Sequence, residues 1–252
     1  MLCDRERTTS PVDAVVEDTS IITAGRSIPT RMSNTGFSDE WDELWKSRES
    51  SPSWPWTDVV SLVHRHCHTD EPRVLELGPG AGANVPFFQS IDADYRAIEG
   101  SEAAVKELLR RFPDLEDQVA VADFTQRFPF KGPFDIVLDR GSITANPAEG
   151  VRRTLSAAHD VLASDGRLVS IDLYSTADRN YGRGESGPDE YTRHSFPDGR
   201  FEGMGNIHFF DREHIDDLFG AFEPLLLEHT TTTCHVPDDV TTATWRFVGT
   251  PS

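Results

Sequence analysis

Lysine is almost missing from this chain: Lys46, Lys106 and Lys131 stand against 43 acidic residues, and the formal net charge is -19. Arginine carries nearly all the positive charge, and the acidic excess argues against the basic face that contacts to nucleic-acid phosphates require. Abundant Asp with scarce Lys resembles the hydrated surface of a salt-adapted protein, and a GC-rich coding sequence that favours Arg over Lys gives the same bias. Cysteine is scarce too. Cys3, Cys67 and Cys234 are scattered and odd in number, which leaves out a disulfide framework and suits a reducing compartment. No apolar run is long enough to span a bilayer, and Arg5 and Arg7 are followed by Thr8-Thr9-Ser10 rather than an apolar signal core. A soluble, cytoplasmic protein with neither membrane nor nucleic acid as partner is therefore expected. No metal is expected either. His64 and His68 share a helix face, but two side chains do not close a site, and no second pair with ligand spacing occurs.

What is present is enough chain, 252 residues, for one α/β domain with an extension. Residues 1–33, rich in Thr, Ser and charge, read as a disordered tail. Residues 34–71 read as a helical extension or lid: Ser38 caps a short helix carrying Trp41, Leu44 and Trp45, and a turn with Trp54 and Trp56 leads to a helix from about Thr57 to Cys67. From residue 72 to 252 strands and helices alternate. Strands are expected at 74–77, 95–99, 119–121, 134–138 and 167–173, and two Thr-rich strands at 225–233 and 241–248 close the chain as an antiparallel pair. The predicted fold is a Rossmann-like, doubly wound, mostly parallel seven-stranded sheet, with ligands at the carboxyl ends of its strands.

One loop stands out. Gly78-Pro79-Gly80-Ala81-Gly82 follows a buried strand and precedes a helix, and glycines there let the backbone approach a ligand where a Cβ would clash. The spacing Gly78-x-Gly80-x-x-Ala83, with Glu99 further on, also satisfies the dinucleotide fingerprint, so an NAD-dependent oxidoreductase fits the loop alone. Glu76 favours a different ligand, since a carboxylate suits an ammonium or sulfonium better than a pyrophosphate. Asp123 with Phe124 after the third strand, and Asp139 at the end of the fourth, extend the same set.

Val74-Leu75-Glu76-Leu77-Gly78-Pro79-Gly80-Ala81-Gly82 resembles the first motif of class I S-adenosylmethionine-dependent methyltransferases, and Ala97-Ile98-Glu99-Gly100-Ser101 the second, whose acid binds the ribose hydroxyls. Ala122-Asp123-Phe124 is similar to the adenine-binding motif, and Phe134 to Gly141 to the fourth. The resemblance implies S-adenosylmethionine as cofactor, held by Glu76, Gly78, Gly80, Gly82, Glu99, Gly100, Asp123, Phe124 and Asp139. A Rossmann-like fold that binds the cofactor without catalysis is the remaining alternative.

Two additions to that core are expected to choose the methyl acceptor, a small molecule. The Trp-rich extension forms a lid or simply packs the helix down. Residues 174–210, with Tyr174, Tyr181 and Tyr191, are too long for an idle loop and are expected to bind the acceptor. The Gly–His–Phe–Phe character of the segment's end is similar to tellurite- and thiopurine-methylating enzymes. His208 is the candidate general base, with Asp139 as a second choice. Arg140 is expected either to grip an acceptor carboxylate or to pair with Asp139 or Asp172.

Overall fold

Buried β-branched and aliphatic runs set the centre of the sheet. β1 (Arg73–Leu77), β2 (Asp94–Glu99), β3 (Val119–Val121), β4 (Phe134–Arg140) and β5 (Leu162–Tyr174) pair in parallel, and β1 and β4 are buried on both faces, as central parallel strands must be. The computed structural model describes residues 36–47, 52–237 and 239–252; the tail expected over 1–33 lies outside them. Three short strands, β6 (Glu185–Ser186), β7 (Thr192–His194) and β8 (Ile207–His208), form a separate sheet. β9 (Phe222–Cys234) and β10 (Val240–Pro251) complete the main one, in the order β3-β2-β1-β4-β5-β10-β9. β10 is antiparallel to both β5 and β9, as the Thr-rich pair predicts.

Helices cover both faces. α2 (Thr57–His66), α3 (Val85–Ser90) and α4 (Glu102–Arg111) lie on one side, where Val59, Leu62, Phe88 and Leu108 meet Val74, Ala97 and Ile136. α5 (Ala148–Val161) and α6 (Arg212–Leu218) cover the other through Val151, Leu155 and Ile215 against Leu75, Leu77 and Val137. Each such aliphatic side chain, fully buried, stabilises the fold by about 1.5–3 kcal/mol before entropy is counted. Ser101 caps α4 by accepting from the Ala104 N–H at 3.1 Å, and Asp211 caps α6 by accepting from His214 at 2.8 Å. Among the described residues no helix is long and apolar enough to cross a membrane.

Two expectations change. β5 begins at Leu162 rather than Arg167, because the Gly166 break is absorbed as a register irregularity between Phe134 and Ile136 of β4. Residues 174–210 are not a bare loop: besides β6–β8 they carry their own core of Phe196, Phe201, Ile207 and Phe209. The buried Asp178 fastens this insertion to the sheet, accepting from Arg200 at 2.7 Å and from the Ala243 N–H at 3.1 Å.

Candidate functional site

Strand order reverses between β1 and β4, and the loops leaving those two strands part there to leave a cleft. Ser142, just beyond β4, bridges it by donating to the Leu77 carbonyl at 2.6 Å. Gly78, Gly80 and Gly82 all have positive φ (+65°, +56° and +78°), a region where a Cβ is strained. A Cβ on Gly78 would run into Ser142, and one on Gly80 would stand 2.6 Å from the Trp45 ring. Arg111 ties the loop down through the Ala81 carbonyl at 2.6 Å. The resulting cavity of about 350 Å³ is lined by the glycine loop and by the ends of β2, β3, β4 and β5.

Its first half is built from predicted residues. Gly78, Gly80, Glu99, Gly100, Asp123 and Phe124 all line it. Glu99 accepts from the Gly80 N–H and the Ser101 N–H, both at 2.9 Å, which fixes its carboxylate beside the loop. Burial pushes the Glu99 carboxyl above the usual range, against those backbone bonds. Asp123 accepts from the Thr125 N–H at 2.8 Å and from the Phe37 N–H at 3.2 Å. The Phe37 ring in turn stands over Gly100, where any side chain would collide with it.

The second half is closed by α1 (Asp39–Ser47), by the residues entering α2 and by the insertion. α1 is docked by Asp42, which accepts from Ser101 Oγ at 2.6 Å and from the Ala103 N–H at 3.1 Å, at the positive end of α4. Bonds from Lys46 and Ser101 hold the Asp42 carboxyl down at about 2. Trp41, Trp45 and Trp56 line the cavity, while Trp54 points into solvent with 83 % of its surface exposed. Tyr174 and Met204 supply the insertion's share of the wall.

Several predicted residues sit elsewhere. Glu76 is buried below the cleft, where its oxygens accept from Asn84 Nδ2 at 2.8 Å and Tyr95 Oη at 2.6 Å. It acts on the wall at one remove, since Asn84 Oδ1 accepts from the Trp56 N–H at 3.1 Å. Gly82 is outside the lining and packs under Leu108, Phe112 and Val85. Asp139 is fully buried and outside the lining; its Oδ1 accepts from the Ser142 and Ile143 N–H groups at 2.9 Å, so it shapes the turn after β4 instead of reaching the cavity. Burial raises its carboxyl to about 6. His208 is also removed from the cavity. It is fully buried, with Nδ1 2.9 Å from Thr192 Oγ1 and Nε2 2.9 Å from His214 Nε2, and burial keeps it neutral by lowering its pKa. A ring with both nitrogens engaged and no exposed surface has no route to a substrate proton.

Arg140 does line the cavity, but it grips no free space: Nη2 is 2.9 Å from Asp172 Oδ2, and Nε and Nη2 are each 3.3 Å from an Asp58 oxygen. Its guanidinium also lies 3.8 Å from the Trp56 ring centroid. Of the two partners expected for it, Asp172 is realised and Asp139 is not. Ser142, Asn146 and Asp172 are wall residues that motif reading passes over as functional groups; the only sequence signal for Asp172 is an acid at a strand end just before a long insertion.

With the geometry in hand, known proteins supply the context. Residues 75–170 match the methyltransferase-domain family. No curated protein matches the chain. Among solved structures, an S-adenosylmethionine-dependent methyltransferase from Methanosarcina mazei is similar with a TM-score of 0.60 at 14 % identity, over 75 % of this chain and 96 % of that one. One from Anabaena variabilis gives 0.60 at 14 % identity over 88 % and 98 %. The 1,6-didemethyltoxoflavin N1-methyltransferase of Burkholderia thailandensis, solved with 1,6-didemethyltoxoflavin and S-adenosylhomocysteine bound, gives 0.54 at 15 % identity over 85 % and 84 %.

Proposed function

We propose that the chain is a class I S-adenosylmethionine-dependent methyltransferase whose methyl acceptor is a small molecule held in the second half of the cleft. The observation that carries this reading is the shape of the cavity: cofactor motifs form one half, and α1, Trp56 and the insertion wall in the other. The Burkholderia relative, named for methylating a small heterocycle, supports the same direction.

The residues fit the cofactor. Positive-φ glycines turn the loop sharply and let Ser142 and Trp45 pack directly against its backbone, Glu99 is poised for the ribose hydroxyls, and Asp123 with Phe124 for the adenine. Glu76, Gly82 and Asp139 support this cradle from behind. S-adenosylmethionine supplies a methyl group on a sulfonium, whose departing thioether needs no protonation. The chain's task is therefore alignment and exclusion of water, which the aromatic wall provides. Where the acceptor carries a proton on its nucleophile, Asp172 is the carboxylate at hand, in place of His208 and Asp139.

Incubation of the protein with methyl-labelled S-adenosylmethionine and a cell extract, separated by size, tests the reading. Label is expected in the small-molecule fraction; label confined to protein or nucleic acid would sink it.

A further inference from the structure

The backbone makes an unusual provision for Asp172. It sits inside β5 with φ +57°, in the left-handed region that a residue with a Cβ enters only under strain. The pairing with β10 shifts register here, between Trp245 and Phe247, and such bulges re-aim side chains. The neighbours Ile171 and Leu173 are both completely buried, while Asp172 is turned into the cavity wall. Glycine would relieve the strain, yet the strand keeps a carboxylate.

That carboxylate decides the charge of the acceptor pocket. Among the described residues Arg140 is the one basic residue lining the cavity, and it lies between two acids, Asp58 and Asp172. Side chains of all three are less than a third exposed, so the trio carries one net negative charge that water screens poorly, and the two further arginines that act on Asp172, Arg200 and Arg246, are paired with Asp178 and Glu228. Glu99 and Asp123 add the same sign along the wall. Arg140 therefore has no surplus charge for an acceptor carboxylate or phosphate. Asp172 meets Arg140 through Oδ2, and among the described residues Oδ1 receives no hydrogen bond. The Asp172 side chain is 29 % exposed in the wall, so Oδ1 is open to a ligand's donor.

We propose that this cavity selects a planar, uncharged or cationic acceptor whose N–H or O–H donates to Asp172 Oδ1, and that the Asp58–Arg140–Asp172 cluster turns anionic acceptors away. The flat shape follows from the rings of Trp41, Trp56 and Tyr174 around the site. Arg140 is then a positioning residue that holds Asp172 in place. The proposal rests on the methyl-transfer reading above.

Calorimetry on the full chain saturated with S-adenosylhomocysteine separates the two. Tryptamine, indole-3-ethanol and indole-3-acetate share a ring and differ in charge. The first two are expected to bind at least about tenfold tighter than the third, a difference of about 1.4 kcal/mol. Asp172→Asn is expected to narrow that gap to about threefold, and Asp58→Asn, which removes the same charge from α2, to narrow it as well. Equal or tighter binding of indole-3-acetate, no binding of any of the three, or an unchanged gap in both variants would overturn the proposal. Failure of S-adenosylhomocysteine to bind the unaltered protein would instead count against the cofactor cradle.

Discussion

His208 has a hydrogen-bond partner on each ring nitrogen and no contact with solvent, so its consequences lie in stability. Its folded pKa is depressed by burial, and the unfolded chain protonates it below about 6.5. The fold is thus fully supported above that pH and loses about 1.4 kcal/mol per pH unit from this residue as pH falls toward the lowered folded value. His208→Gln is expected to leave methyl transfer within about threefold of the unaltered protein, since nothing in the cavity is touched, while flattening the loss of urea resistance between pH 6.5 and 5. A loss of about 10²-fold or more in turnover, with the fold intact, would return His208 to catalysis. The sequence marks a histidine in an aromatic run near a pocket, but not which way it faces. Glu76 fails for the same reason: neighbours in a strand point to opposite faces, and this carboxylate, two residues before the first glycine of the loop, is buried and satisfied by Tyr95 and Asn84. Glu99, Asp123 and the loop glycines are legible because they sit at strand ends, where the backbone turns toward the cleft.

At the scale of elements, α1 and the insertion decide what the cavity becomes. Periodicity reveals that Trp41 and Trp45 share one helix face, and it does not say whether that face packs on a core or over a cleft. The answer depends on Asp42, which reaches across to Ser101 and the first turn of α4, a pairing 59 residues apart that no local pattern displays. An anion at a helix amino terminus contributes about 0.3–1 kcal/mol. Asp42→Ala is therefore expected to raise hydrogen exchange across residues 39–47 and to weaken S-adenosylmethionine binding several-fold, with the remainder of the molecule unchanged. Unaltered exchange in that segment would mean that Asp42 does not hold α1 in place. The insertion was foreseeable as a segment with a purpose from its length and tyrosines. Its internal sheet was not, because β6–β8 are two or three residues each, too short to produce a period.

For the molecule as a whole, the alternation of buried strands and amphipathic helices made the sheet readable in advance, down to the antiparallel Thr-rich pair β9–β10. That the glycine loop, Glu99 and Asp123 line one cleft was readable with it, since clefts on such sheets follow from topology. The opposite wall was not: it is assembled from α1, Trp56, Arg140, Asp172 and Tyr174, residues far apart in the chain that only folding brings together. The glycine loop taken alone also fits a dinucleotide, and everything claimed for the cleft rests on which cofactor enters it. Calorimetry of the full chain against S-adenosylmethionine and against NAD, repeated on Gly80→Val, tests that most directly. The account predicts binding of S-adenosylmethionine only, weakened at least about tenfold in the variant; binding of NAD in its place, or equal affinity in Gly80→Val, would contradict it.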